Sequence, residues 1–171
     1  MREQGQLRLT ASYTDQGGQG VKPLTGTSAI ILRNNVVSAA QFNGMDKFVL
    51  NTAGSKSVAT VPMSGGWCRI DDVDLSGLSK VSIVLEWLMQ PTADCDYELR
   101  MDSPTGTRVA AFHHAALTAP IDFKETYQLA EISSRLEKNT DGKHHALYLV
   151  SVTNFPSNSN RLYISAVKFL P

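Results

Sequence analysis

The histidines of this chain stand as two adjacent pairs, His113–His114 and His144–His145. Histidines on neighbouring strands can bring two ring nitrogens to one metal ion. Adjacent residues of a strand face opposite sides, however, so only one of each pair could contribute. No cysteine or carboxylate spacing completes a ligand set, and no metal centre is expected. Asp71, Asp72 and Asp74 could form a general acid/base cluster, but acids on one strand alternate in direction and no His or Lys motif accompanies them. They read as a solvated, turn-flanking face. A glycosidase would need two facing carboxylates, and no spacing identifies such a pair. Cys68 and Cys95 could form one disulfide or remain two separate buried thiols. With no nucleophile beside its base and no phosphate loop, the sequence points away from an enzyme.

The stretch that organises the chain is Ser64–Gly77, SGGWCRIDDVDLSG. Its paired glycines free the backbone to turn, Trp67 brings the largest apolar side chain, and Cys68, Ile70, Val73 and Leu75 alternate with acids. Cys68 and Ile70 have one parity and Val73 and Leu75 the other. If all four point inward, a β-bulge near Asp71–Asp72 must absorb one residue. Val81, Ile83, Leu85 and Trp87 then alternate with polar Ser82 and Glu86, and Tyr97, Leu99 and Met101 with Asp96, Glu98, Arg100 and Asp102. The turn residues at 103–106 (SPTG) join that second run to Arg108–His113 as a hairpin.

The remaining elements are short. Leu7, Leu9 and Ala11 open a half-exposed strand, Thr14–Gly26 is a glycine-rich loop, and Ala29–Arg33, Val36–Phe42 and Ser57–Val61 are extended. Ala115–Tyr127 is irregular. Glu131–Lys138 has a weak helical look that Ser133–Ser134 and its shortness undercut, leaving strand and loop. His144–Val152 is a strand with aliphatics on both faces, Asn154–Asn160 a polar loop and Leu162–Phe169 the closing strand. Ten to twelve short strands without an amphipathic helix predict an all-β fold, an antiparallel β-sandwich of jelly-roll type. The expected division is 1–35, an N-terminal strand and glycine-rich connecting segment, and 36–171, the sandwich.

At 171 residues the chain can bury a full core. Sixteen basic and sixteen acidic residues cancel, which removes any electrostatic reason to expect nucleic acid or an anionic membrane as partner. No apolar run reaches the roughly 20 residues that span a bilayer, and the start, MREQGQLRL, lacks the apolar core of a signal peptide. Met1 leads almost directly into a strand pattern, as expected of a piece of a longer protein.

The order SGGWCRIDDVDLSGL (64–78), YELRMDSPTGTRV (97–109), DGKHHALYLV (141–150) and LYISAVKFLP (162–171) resembles the family 6 carbohydrate-binding modules, from about Val36 to the end. LTASYTDQGGQGVKPLTG (9–26) is similar to the segment preceding such a module at the C-terminus of secreted bacterial glucose/sorbosone dehydrogenase-like, cytochrome or trehalose-utilisation-like proteins. The resemblance implies a galactose-binding-like jelly roll, no catalysis, an extracytoplasmic (periplasmic or secreted) setting, other domains of a parent protein as partners, and an oligo- or polysaccharide held by loop aromatics. Pyranose C–H faces stack on rings while amides and carboxylates take the hydroxyls. On that likeness Trp67 and Tyr127 are the stacking rings and Asn158 and Asn160 the hydroxyl partners. Two departures stand out. Ser38–Ala39–Ala40 and Tyr163–Ile164–Ser165 lack the carboxylates that hold the family's structural calcium, so no cofactor is expected, and the second stretch also lacks the family's amide. The alternative is a structural or interaction sandwich that positions a neighbouring catalytic domain and has lost sugar binding.

Overall fold

The computed structural model describes residues 6–53, 55–88, 91, 93–116, 127–139, 141–153 and 162–171. The chain divides into two compact units, Met1–Asn35 and Val36–Pro171. In the first, β1 (Gln6–Thr14) and β2 (Thr25–Arg33) pair antiparallel in unbroken register from Gln6↔Arg33 to Thr14↔Thr25. The glycine-rich segment expected as a connecting loop is the tip of this ribbon. There the Asp15 carboxylate accepts from the Gly17 and Leu24 backbone N–H groups, an Asx-type turn.

The second unit is a sandwich of two antiparallel sheets. One has the order β10 (Arg108–His114), β9 (Cys95–Met101), β12 (His144–Ser151), β7 (Trp67–Asp74) and β4 (Gly44–Asp46). The other runs β11 (Gln128–Arg135), β8 (Lys80–Trp87), β13 (Tyr163–Leu170), β6 (Lys56–Thr60) and β5 (Val49–Ala53), with β3 (Val36–Ser38) also on β13. Val36–Phe42 is not extended throughout: after β3 the chain makes a single 3-10 turn, Ala39–Gln41, because the Gln41 amide oxygen accepts from the Ser38 N–H and hydroxyl. Glu131–Ser134 lies within strand β11, where Ile132 pairs with Ile83 and Ser133 with Ser82.

Period-two alternation builds the core. Val81, Ile83, Leu85, Trp87, Tyr97 and Leu99 are buried as the pattern requires, and Met101 is half-buried against them. Each fully buried Leu or Ile contributes roughly 1.5–3 kcal/mol. Strand β8 lies between β11 and β13, so its polar positions Ser82 and Glu86 are covered too, and the Ser82 hydroxyl meets that of Ser133 at 2.9 Å. The bulge expected in β7 is present: His145 opposes Val73 and Leu147 opposes Ile70, leaving one extra residue on β7, and Asp72 takes φ +60° there. Cys68, Ile70, Val73 and Leu75 thereby all reach the core. Both cysteines are free and buried, and burial pushes the Cys95 thiol up to about 12 and the Cys68 thiol further still.

Candidate glycan-binding surface

Because β7, β9, β10 and β12 turn alternate residues inward, the other parity forms the outer face of their sheet. The register lays it out in rows. One row crosses Gly44, Arg69, Tyr148, Arg100 and Arg108, and the next crosses Asp46, Trp67, Val150, Glu98 and Ala111. Trp67 and Tyr148 are therefore diagonal neighbours on adjacent strands, within reach for large side chains. Their rings meet edge to face, centroids 5.1 Å apart at 71°. Both remain half-buried rather than swallowed by the core.

The Gly65–Gly66 pair makes this placement possible. Both have positive φ, and a Cβ at Gly66 would stand 2.6 Å from the Asp46 carbonyl oxygen. The Gly66 carbonyl accepts from the Ser151 N–H at 3.0 Å, which fixes the entry of β7 beside β12. Trp67 is thus the first residue of a strand and lies on a sheet face, not in a loop.

Charged groups flank the rings. Arg69 Nε lies 2.8 Å from Asp71, and the Tyr148 hydroxyl, followed by Asp71, holds the Arg69 guanidinium above its usual pKa. Arg100 donates to Glu98 at 2.8 Å and to the Gly106 carbonyl at 2.7 Å, and Arg108 reaches the other Glu98 oxygen at 3.2 Å. The surface offers aromatic carbon beside fixed donors and acceptors, the two kinds of contact that a pyranose uses.

Tyr127 lies elsewhere. It precedes β11 on the other sheet, its ring edge-on to Tyr163 with centroids 5.6 Å apart at 74°, and burial is the first cause raising its phenol pKa. Trp67 and Tyr127 thus belong to different sheets, and no described contact joins them. Asn158, Asn160 and the rest of the Asn154–Asn160 loop lie outside the described residues, as does most of Ala115–Tyr127. Tyr148, Glu98 and Arg100 were not singled out from sequence. Burial alternates strictly along 144–151 and puts Tyr148 on the outward parity, but aliphatics stand on both parities of that stretch, so its residue types did not mark Tyr148.

The histidines follow the alternation. His114 and His145 are buried, while His113 and His144 are exposed, each 2.8 Å from an aspartate, Asp96 and Asp72 respectively. His145 is held at both nitrogens, Nδ1 2.9 Å from Asp102 and Nε2 3.0 Å from Asp141. Among the described residues no three His, Cys, Asp or Glu side chains are arranged to hold a metal ion. At the positions where the resemblance would put calcium ligands, the Ser38 hydroxyl is engaged by Gln41 and the Ser165 hydroxyl donates to the Val84 carbonyl at 3.4 Å. Neither residue brings a carboxylate to that position.

No protein-family model matches the sequence, and no curated protein matches it. Solved structures do match the fold. A family 6 carbohydrate-binding module from Clostridium cellulolyticum in complex with xylose is 16% identical with a TM-score of 0.63, over 81% of this chain and 98% of that one. A β-1,3-glucan-binding family 6 module from Bacillus halodurans is 14% identical with a TM-score of 0.61, over 81% and 96%. A Clostridium stercorarium family 6 module in complex with cellobiose is 14% identical with a TM-score of 0.58, over 79% and 92%. The chain carries the antiparallel jelly-roll fold of the family 6 carbohydrate-binding modules.

Proposed function

We propose that this chain is a non-catalytic saccharide-binding module of a larger extracytoplasmic protein, and that its ligand lies across the outer face of the β10–β9–β12–β7–β4 sheet. The observation that carries the proposal is the Trp67–Tyr148 pair at 5.1 Å, half-buried and flanked by Arg69, Glu98 and Arg100. The relatives in fold named above carry xylose and cellobiose or are described as glucan-binding, which supports a neutral sugar as the ligand. A shallow surface with two rings must still offset the entropy of holding the ligand, so dissociation constants of roughly 0.1–1 mM are expected. A glycan array followed by titration calorimetry on wild type, Trp67→Ala, Tyr127→Ala and Asn160→Ala, with folding checked for each, tests the reading. Loss of binding in Trp67→Ala alone supports the sheet face. Loss in Tyr127→Ala and in Asn160→Ala supports the loop-borne site that the sequence resemblance implies. No binding to any glycan favours a spacer that positions a neighbouring catalytic domain.

A further inference from the structure

A concavity lies away from the Trp67 face, where the edge strands of the two sheets approach each other. It is a groove of about 1080 Å³ between the turn following β7, the start of β10 and the chain leaving β11. Its walls are fixed by backbone bonds. The Leu136 N–H donates to the Ser79 carbonyl at 2.8 Å, the Glu137 N–H to the Val109 carbonyl at 2.8 Å, and the Ala111 N–H to the Ser134 hydroxyl at 3.3 Å. The chain from 134 to 137 thus leaves one sheet and bonds to the edge of the other. Such a groove is formed before any ligand arrives, which lowers the ordering cost of binding.

Its chemistry is lopsided for a chain of zero net charge. Arg108, Arg135 and Lys138 line it against one acid, Glu137. Arg108 already shares Glu98 at 3.2 Å. Arg135 and Lys138 have no carboxylate within ion-pair distance among the described residues, whereas Arg69, Arg100 and Lys168 do. Between the cations the lining alternates apolar surface, Leu78 and Val109, with polar groups, Ser79 and Asn139. A guanidinium fork matches a carboxylate or sulfate, apolar side chains meet the C–H face of a sugar ring, and hydroxyl and amide groups meet its hydroxyls.

We propose that the groove between the β10 and β11 edges is a second saccharide site, distinct from the Trp67 face, that selects an acidic oligosaccharide through Arg135 and Lys138. This rests on reading the chain as a saccharide binder and adds the class of sugar that a separate surface takes. The anion is a uronate carboxylate or a sulfate ester, and the probes separate the two.

The test is titration calorimetry of the full chain with tetragalacturonate, a sulfated oligosaccharide of the same length, neutral cellotetraose and inorganic sulfate. The variants are R135Q/K138Q and, as a charge-matched control outside the residues that line the groove, K22Q/K56Q. Expected is binding of at least one acidic oligosaccharide about tenfold tighter in wild type and in K22Q/K56Q than in R135Q/K138Q, weakening with salt, while cellotetraose binding is equal in all three proteins. Equal acidic binding in R135Q/K138Q and wild type overturns the proposal, as does the absence of binding to both acidic probes. Inorganic sulfate competing as well as the oligosaccharides would reduce the groove to an ion site and overturn it too. Neutral glycans failing everywhere while the groove variant still loses acidic binding would refute the sheet-face reading and leave the groove standing.

Discussion

The Trp67 ring stands edge-on to that of Tyr148, centroids 5.1 Å apart, although the two residues come from different strands and lie 81 positions apart in the chain. Each ring supports the other's orientation, so both belong to one surface. Tyr148→Ala is expected to weaken neutral saccharide binding about tenfold or more, about 1.4 kcal/mol, and to cost about 0.5–1.5 kcal/mol of stability from the lost ring pair. Tyr148→Phe keeps the ring and should retain most of the affinity. Calorimetry beside urea unfolding reads both. An unchanged affinity in the alanine variant would remove Tyr148 from the surface.

Gly66 and Gly77 both have positive φ, +91° and +74°, but only at Gly66 does a Cβ meet a backbone atom, the Asp46 oxygen at 2.6 Å. Gly66→Ala is therefore expected to cost about 1–3 kcal/mol through strain that no side-chain movement can relieve. Gly77→Ala, with open space around it, should cost about 1 kcal/mol. Urea midpoints of the two variants compare them directly, and equal values would contradict the close approach at Gly66.

Two buried histidines should make stability peak near neutrality. Asp102 first, with Asp141 adding to it, raises the His145 pKa. Its contribution is full below the ordinary histidine value, about 6.5, and is lost as pH rises through the raised value in the folded protein. Burial lowers the His114 pKa, and its Nδ1 meets no partner among the described residues. That side chain is accommodated neutral above about 6.5 and penalises folding as pH falls below it. Melting temperature should fall on both sides. His145→Gln should flatten the alkaline limb and His114→Leu the acid limb, and a limb that survives its substitution would refute the assignment.

Calcium should contribute little, because Ser38 and Ser165 present hydroxyls already engaged within the protein where carboxylates would be needed. Melting in chelator and in millimolar calcium should coincide. A shift of many degrees would show a tightly held ion at other residues, since removing one must lower apparent stability.

Much of the sandwich was legible because two inner strands, β8 and β9, carry large apolar residues at a period of two. Val81–Trp87 and Tyr97–Met101 announce themselves, and the parity switch between Ile70 and Val73 demanded the bulge at Asp72. The edge strands β4 and β5 were not legible. Gly44–Asp46 is too short to show a period, and Val49–Ala53 exposes Val49 and Leu50, so its pattern does not record a buried face. The candidate surface was half legible. Trp67 stood out as a large ring after two glycines, but Tyr148 sat in a strand with aliphatics on both parities, where composition does not say which side meets solvent. Its nearness to Trp67 depends on β12 lying between β7 and β9, an order that chain sequence does not disclose.

The most direct test of saccharide binding at the sheet face is a ¹H–¹⁵N titration of the wild-type protein with neutral cello- and xylo-oligosaccharides, following the Trp67 indole N–H and the Arg69, Glu98, Arg100 and Tyr148 amides. Saturable shifts clustered at these residues are expected, with the Tyr127–Tyr163 end unmoved. Shifts confined to Tyr127 and Tyr163, or none with any oligosaccharide at ten-millimolar concentration, would contradict it.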